Sequence, residues 1–239
     1  MPHKNLVTIY GYATHQKESM LVHEYLSNGT LAAHIQGRIS DSGTSLTWLN
    51  RLDIAIDIAN ALDFLHYNGI LHRNVKSPNI FLDTNFRAKV GNFHLSKKLD
   101  VGATHVTRDL IGTSGYLDPE LVSKGLLGVQ NDVYSFGVVL CELVSSMLAE
   151  YYIQNEEECL ATILCKKVEN QALVELLDQR LGFESDLKIN KMMTATAELA
   201  YWCLKCPQEL RPNMEQVLET LHGIKQGRYE INSIKGTRH

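Results

Sequence analysis

The sequence predicts an α+β protein in which a short β-hairpin precedes a larger, mainly helical domain. Three observations predict this fold class. The first 25 residues contain two segments rich in β-branched and aromatic residues, separated by a polar turn. Segment 48–66 repeats apolar residues every three or four positions, which is typical of one face of a helix. The chain after Pro119 returns to the same helical periodicity.

The predicted hairpin consists of strands at residues 6–12 and 20–25, joined by a polar turn at 14–19. A break at residues 27–29, which read Ser-Asn-Gly, then precedes a short helix at 31–35.

The rest of the chain is predicted to be helical, with a few short strands between the helices. The long helix 48–66 is followed by strands at 70–71, 80–82 and 88–90. Segment 133–146 is apolar on nearly every side, so we expect a buried central helix there. Further helices are predicted at 192–204 and 214–221, and the three glutamates at 156–158 are interpreted as the exposed start of another helix.

Composition excludes several functional classes. The 239 residues carry a net charge of −4 and no basic stripe, so we expect no nucleic-acid binding. The five cysteines are scattered, which favours a reducing compartment over a disulfide framework. No leader peptide is recognisable, and the most apolar segment, 133–149, is interrupted by Glu142 and too short to span a bilayer. These features predict a soluble cytoplasmic chain without a membrane span.

Several motifs resemble those of protein kinases. Residues 72–79 read His-Arg-Asn-Val-Lys-Ser-Pro-Asn, which is similar to the catalytic loop H-R-D-x-x-x-x-N. Residues 91–94, Gly-Asn-Phe-His, stand where D-F-G is expected, and 112–120 end in Asp-Pro-Glu like the A-P-E element. Segments 3–7, 21–25, 27–31 and 132–137 and the pair Arg211-Pro212 resemble plant receptor-like serine/threonine kinases. Because the segments occur in the right order, the chain is identified as a member of that family, nearest to its wall-associated or leaf-rust-resistance-type branches.

The resemblance implies a protein-kinase-like fold with most of the N-lobe absent. Residues 1–25 would be the last hairpin of the N-lobe, 26–223 the helical C-lobe and 224–239 a polar tail. The glycine-rich phosphate loop, the V-A-I-K lysine and its partner glutamate have no counterpart in this sequence.

The resemblance also implies that the catalytic site is degenerate. Asn74 replaces the aspartate that accepts the substrate hydroxyl's proton, and an amide is not a useful base. Asn92 replaces the metal-binding aspartate, which leaves Asn79 as a neutral second ligand for magnesium. Lys76 and Thr113 are the pair that marks the serine/threonine class. The family uses ATP and Mg²⁺, and we expect their binding to this chain to be weak or absent.

Other family positions are matched outside the chemistry. In the adenine pocket, the Glu24 carbonyl and the Leu26 amide would form the hinge hydrogen bonds, with Phe81 as the floor and His23 as the gatekeeper. His94 replaces the glycine that follows Phe93, and a side chain there should restrict the backbone.

Structural roles are implied for a further set of residues. Glu120 and Arg211 would form a buried ion pair, and Asp132 would hold the backbone near His72 and Arg73. His72 and Phe93 would stack on each other. In the activation segment, Thr104 and Thr107 are candidates for phosphorylation by another kinase, and Arg73 could then bind the phosphate.

Three hypotheses about function follow from the sequence. The first is a catalytically inactive pseudokinase that binds another protein kinase or a signalling protein. The second is a fragment of a longer, weakly active ATP-dependent serine/threonine kinase, in which case the chain could be the intracellular part of a plasma-membrane receptor. The third is a degenerating gene product, whose exposed hairpin would promote aggregation.

Overall fold

A computed structural model of the chain describes residues 2–15, 18–35, 46–99, 105–107, 112–153 and 156–230. Helices in this part of the chain are α1 (Leu31–Ile35), α2 (Trp48–Tyr67), α3 (Pro119–Lys124), α4 (Val129–Ser145), α5 (Leu160–Glu169), α6 (Leu187–Cys203) and α7 (Met214–Lys225). Strands are β1 (Ile9–His15), β2 (Glu18–His23), β3 (Ile70–Leu71), β4 (Ile80–Leu82), β5 (Ala88–Val90), β6 (Lys97–Lys98), β7 (His105–Thr107), β8 (Leu126–Gly128), β9 (Glu150–Ile153) and β10 (Glu156–Cys159).

The strands form small antiparallel pairs rather than one sheet. β1 pairs with β2, β3 with β6, β4 with β5, β7 with β8, and β9 with β10. Isolated two-stranded pairs are marginally stable in water, so the helices must supply the core. The predicted α+β fold with a mainly helical larger part is confirmed.

Helices α2 and α4 lie at the centre of this core. α4 packs on α6, and α2 packs on α7. Nearly every residue of α4 is buried, which explains why its sequence is apolar on all sides. Thr47 caps the start of α2, because its hydroxyl accepts a hydrogen bond from the Asn50 amide while the Asn50 side chain accepts one from the Thr47 amide. Within the described ranges, no helix combines the length and the apolar character needed to cross a lipid bilayer.

The hairpin differs from its prediction by a shift along the chain. Residues 6–8 precede β1, and the Val7 amide donates to the Val90 carbonyl at 2.9 Å, so this segment lies against β5 instead. The predicted strand 6–12 was therefore wrong at both ends, and β2 likewise begins and ends two residues before predicted. The hairpin and Tyr25, two residues after it, expose large apolar side chains, which in the hairpin are Ile9, Tyr10, Tyr12, Met20, Leu21 and Val22.

Two further expectations are corrected. The glutamates at 156–158 begin strand β10, and helix α5 starts only at Leu160, because β10 pairs with β9. The predicted boundary at residue 223 falls inside α7, which continues to Lys225.

Candidate catalytic cleft

One buried carboxylate fixes the loop that carries Asn74. Asp132 lies in the first turn of α4 and accepts hydrogen bonds from the backbone amides of His72 and Arg73, both at 2.8 Å. His66 Nε2 donates to the same carboxylate at 3.1 Å. Burial favours the protonated acid, but hydrogen bonds from His66 and the His72 amide outweigh it and lower the pKa of Asp132. The loop backbone, including Arg73 in a left-handed conformation with φ of 68°, is therefore held by a charge.

His72 connects this loop to the segment that contains Asn92. Its Nε2 donates to the Gly91 carbonyl at 3.0 Å, and its ring meets the Phe93 ring edge-on with centroids 5.3 Å apart. The structure thus brings His72 and Phe93 together as the sequence predicts. Burial lowers the pKa of His72, although nearby Asp132 opposes the effect, so the ring is neutral at neutral pH.

Hydrogen bonds join Asn74, Lys76 and Thr113, and we call these three residues the floor of the candidate cleft. Lys76 Nζ donates to Thr113 Oγ1 at 2.8 Å, and Thr113 Oγ1 donates to Asn74 Oδ1 at 3.4 Å. An amide oxygen accepts hydrogen bonds but has no useful basicity, so this group can orient a hydroxyl without removing its proton.

The two candidate metal ligands bind each other. Asn92 Nδ2 donates to Asn79 Oδ1 at 2.9 Å, and Asn79 Nδ2 donates to the Asn74 carbonyl at 2.8 Å. Asn92 Oδ1 in turn accepts a hydrogen bond from His94 Nδ1. We call this chain of hydrogen bonds, made by Asn74, Asn79, Asn92 and His94, the amide chain. Across the described residues, no cluster of three or more His, Cys, Asp or Glu side chains is arranged to hold a metal.

The backbone restriction expected at His94 lies two residues earlier. Asn92 has the left-handed conformation, with φ of 67°, while His94 sits in a 3₁₀ turn at Phe93–Leu95. Asparagine tolerates this conformation better than most residues, because its short polar side chain can hydrogen-bond locally. His94 therefore restrains this segment through its side-chain hydrogen bond to Asn92, and not through a restricted backbone of its own.

One hydrogen-bonding group of the candidate adenine pocket, the Glu24 carbonyl, already has a partner within the protein. The Glu24 carbonyl accepts a hydrogen bond from His23 Nδ1 at 2.7 Å, and the His23 ring lies 6.3 Å from the Phe81 ring. The next hinge residue, Leu26, is buried. The Glu24 side chain binds Lys89 at 2.8 Å. Although burial opposes it, the hydrogen bond from Lys89 lowers the pKa of Glu24.

Arg211 pairs with Glu120 as predicted and lies still closer to a second acid, Asp118. Arg211 Nη2 donates to Asp118 Oδ1 at 2.9 Å, and both side chains are fully buried. Glu120 lies 3.7 Å from the guanidinium and forms closer contacts with Lys124 and the Gln208 amide. Asp118 also caps α3, because its side chain accepts a hydrogen bond from the Glu120 amide. The sequence signal was an Asp immediately before Pro at a helix start.

Comparison with known proteins decides the family. The family model described as "Protein kinase domain" matches residues 1–222 of this chain. The chain belongs to the protein kinase family. Its kinase domain is 44% identical over 227 residues to leaf rust 10 disease-resistance locus receptor-like protein kinase-like 1.4 of Arabidopsis thaliana, covering 94% of this chain and 34% of that protein.

Other relatives are also plant receptor-like kinases. Wall-associated receptor kinase 3 of Arabidopsis thaliana is 38% identical, with 93% of this chain and 30% of that protein covered. Calmodulin-binding receptor-like cytoplasmic kinase 2 of the same plant is 37% identical, with coverages of 96% and 56%. The chain spans about a third of the length of the leaf rust 10 receptor-like kinases that it matches. The predicted resemblance to plant receptor-like kinases is confirmed.

Of the two predicted phosphorylation sites in this kinase domain, the structure describes the backbone of one. Thr104 lies outside the described residues. Thr107 ends strand β7, whose backbone pairs with β8 in the register Thr107 to Leu126. A modifying kinase would therefore have to displace that pairing to bind Thr107 in an extended form.

The sequence reasoning missed one buried acid behind the cleft. Glu142 of α4 accepts hydrogen bonds from the Tyr116 hydroxyl at 2.8 Å and from Ser77 Oγ at 2.9 Å, both on the same oxygen. Burial raises the pKa of Glu142 to about 7, and the two hydroxyl hydrogen bonds only partly oppose it. The available signal was the single charge that interrupts the apolar segment 133–149.

This buried acid predicts an unusual pH dependence of stability. The folded pKa of about 7 lies above the ordinary value of 4.5, so the folded chain binds more protons in this interval. Stability should therefore fall as pH rises from about 5 to 8, by roughly 3 kcal/mol from this group. Glu142→Gln should remove that decline, measured by urea unfolding across the interval. A variant that declines as steeply as the parent would contradict the assignment.

Proposed function

We propose that this kinase domain is a pseudokinase module, which binds a partner protein in receptor-like kinase signalling and does not transfer phosphate. The amide chain is the observation that carries the proposal. The two groups that replace the family's catalytic and metal-binding carboxylates, at Asn74 and Asn92, are neutral amides. The Asn92 amide is hydrogen-bonded within the protein to Asn79 and His94, and the Asn79 amide is bonded to the Asn74 carbonyl.

The amide chain opposes metal binding in two ways. Mg²⁺ prefers charged oxygen ligands in an octahedral arrangement, and Asn79 and Asn92 offer only neutral oxygens. Each of those oxygens already accepts one hydrogen bond, so a metal would have to share the oxygen with that donor, which weakens an already neutral ligand. The residues therefore do not fit a magnesium pair, and no transfer step is assigned to one.

The loss of the base adds to the loss of the metal. General-base assistance contributes about 10²–10⁴ in rate, and Asn74 cannot provide it. The candidate hinge also disfavours nucleotide binding, because the Glu24 carbonyl already accepts a hydrogen bond from His23. Adenine would have to share that carbonyl with His23, so ATP binding should be weak.

The intact framework supports a binding role. Asp132 still holds the loop at His72 and Arg73, and Arg211 still ties α3 to the late helices. Breaking such buried charge contacts is costly, so these residues preserve a defined surface independently of chemistry. We propose another protein kinase or a signalling protein in the cytoplasm as the partner.

Phosphate transfer and nucleotide binding test the proposal directly. The purified chain, incubated with Mg·ATP and a serine/threonine peptide, should give no labelled product, and Mg·ATP should produce no saturable heat in calorimetry. Asn74→Asp with Asn92→Asp should increase magnesium affinity, whereas the exposed control Asn85→Asp should not. Turnover by the unmodified chain above a no-enzyme control would reject the proposal.

A second candidate function is a longer, weakly active kinase of which this chain is a part. Two observations favour it: the Lys76 contact with Thr113 is kept, and the chain covers only 34% of its relative. Positioning alone can supply a large part of a rate enhancement. The same transfer assay on a longer product of the gene distinguishes the two candidates, since only the second predicts a labelled peptide.

A further inference from the structure

The floor of the cleft has a changed charge. Relative to the kinase motifs that it resembles, this chain replaces two carboxylates with amides at Asn74 and Asn92, while Lys76 remains. The formal charge of these three positions is therefore +1, where an aspartate at both positions would make it −1. A site that would attract cations is converted into one that favours an anion.

Hydrogen-bond donors accompany that charge. Lys76 is only half-buried, and one of its three N–H donors is used by Thr113. Asn74 Nδ2 donates to no acceptor in the ranges that the structure describes. An aspartate at this position would offer acceptors only, so the substitution also changes the hydrogen-bonding sense of the site.

Nearby acids do not neutralise the lysine. Among the described residues, no carboxylate oxygen lies within 4 Å of Lys76 Nζ, which donates to the Thr113 hydroxyl. Asp132 is occupied by the amides of His72 and Arg73, and Glu142 is buried and occupied by Ser77 and Tyr116. The ammonium group is thus available to an external anion.

We propose that this cleft binds the phosphoryl group of a phosphoserine or phosphothreonine on a partner protein, with Lys76 and Asn74 as its donors and without a metal ion. By resemblance, Asn74 stands where a kinase receives the hydroxyl of its protein substrate. The side chain that arrives there in an active kinase is a serine or threonine, and its phosphorylated form presents a charge of about −1.5 to −2 with three acceptor oxygens.

The change of formal charge from −1 to +1 explains why the cleft would prefer the phosphorylated side chain to the unmodified one. An active site with two carboxylates repels a metal-free phosphoryl group, whereas a lysine and an amide N–H attract it. The inference deepens the proposed function, on which it rests, by naming the chemistry of the partner. It also accounts for Lys76, which the loss of transfer would otherwise leave without a role.

Peptide binding tests this inference. The chain is titrated, in EDTA, with a short glycine- and alanine-flanked phosphothreonine peptide and with its unphosphorylated twin, and binding is followed by NMR. The phosphorylated peptide should bind at least about tenfold more tightly, since hydrogen bonds to a charged group contribute roughly 1.5–3 kcal/mol. Lys76→Met and Asn74→Asp should each reduce that preference about tenfold, and the exposed control Lys188→Met should leave it unchanged.

Three results would overturn the inference: equal binding of the two peptides, an unchanged preference in Lys76→Met, or inorganic phosphate binding as tightly as the phosphopeptide. Folding of each variant is checked by its amide spectrum, and Asn74→Asp provides a second arm should Lys76→Met unfold. A chain that neither transfers phosphate nor prefers the phosphopeptide rejects this inference alone. A chain that turns over ATP rejects the proposed function.

Discussion

Replacing Arg211 by methionine is expected to lower the free energy of unfolding by about 3–5 kcal/mol. The guanidinium and the Asp118 carboxylate are both fully buried, and removing one leaves the other as an uncompensated buried charge. The Lys205 and Gln130 carbonyls lose donors as well. Urea unfolding monitored by circular dichroism measures the change.

An exposed ion pair provides the matched control for Arg211. Lys225 contacts Asp53 at the surface, so Lys225→Met should cost no more than about 1 kcal/mol. A double change, Arg211→Met with Asp118→Leu, removes both charges and should recover part of the loss. If Arg211→Met cost no more than the Lys225 variant, the pair would not be the tie between α3 and the late helices.

Asp132→Asn should destabilise the chain by about 3 kcal/mol at neutral pH, because hydrogen bonds to a charged group contribute roughly 1.5–3 kcal/mol each. The amide retains the shape of the carboxylate but loses its charge and one acceptor. The His72 and Arg73 amides should also exchange with solvent faster, measured by hydrogen exchange. Asp186→Asn, at the exposed N-cap of α6, should change stability by only a few tenths of a kcal/mol.

The Asp132 effect should depend on pH in a defined direction. Its folded pKa is lowered, so the carboxylate contributes its full stability above the unfolded value of 3.8 and loses it as pH falls through the folded value. The difference between parent and Asp132→Asn should therefore shrink as the solution is acidified. A difference that stayed constant down to strongly acidic pH would contradict a stabilising carboxylate at this position.

Several short elements with buried residues were predicted well from the sequence, whereas the hairpin and β10 were not. Helix α1 and strands β3, β4 and β5 have their predicted bounds, because buried apolar residues and turn residues mark their ends. The hairpin was misplaced because both of its faces are exposed and its composition carries no alternation that fixes an end. The start of β10 was mistaken for a helix because its state depends on pairing with β9.

The candidate site divides in the same way. Its residue types were readable from ordered motifs, and so was the contact of Asp132 with the backbone at His72. The predicted ion pair of Glu120 with Arg211 is present at 3.7 Å, but the sequence did not reveal the closer partner, Asp118. The two acids are two residues apart, and only packing decides which one lies nearer the guanidinium.

The sequence by itself determined the charge of the cleft, since the exchange of carboxylates for amides at Asn74 and Asn92 is a matter of composition. Only the tertiary structure decided what those amides do. Asn92 reaches Asn79 thirteen positions away, and Glu142 reaches Ser77 sixty-five positions away. A hydrogen bond between distant parts of the chain requires its donor and acceptor to be placed to within a few tenths of an ångström, and the ionisation of an acid depends on its burial. Packing determines both.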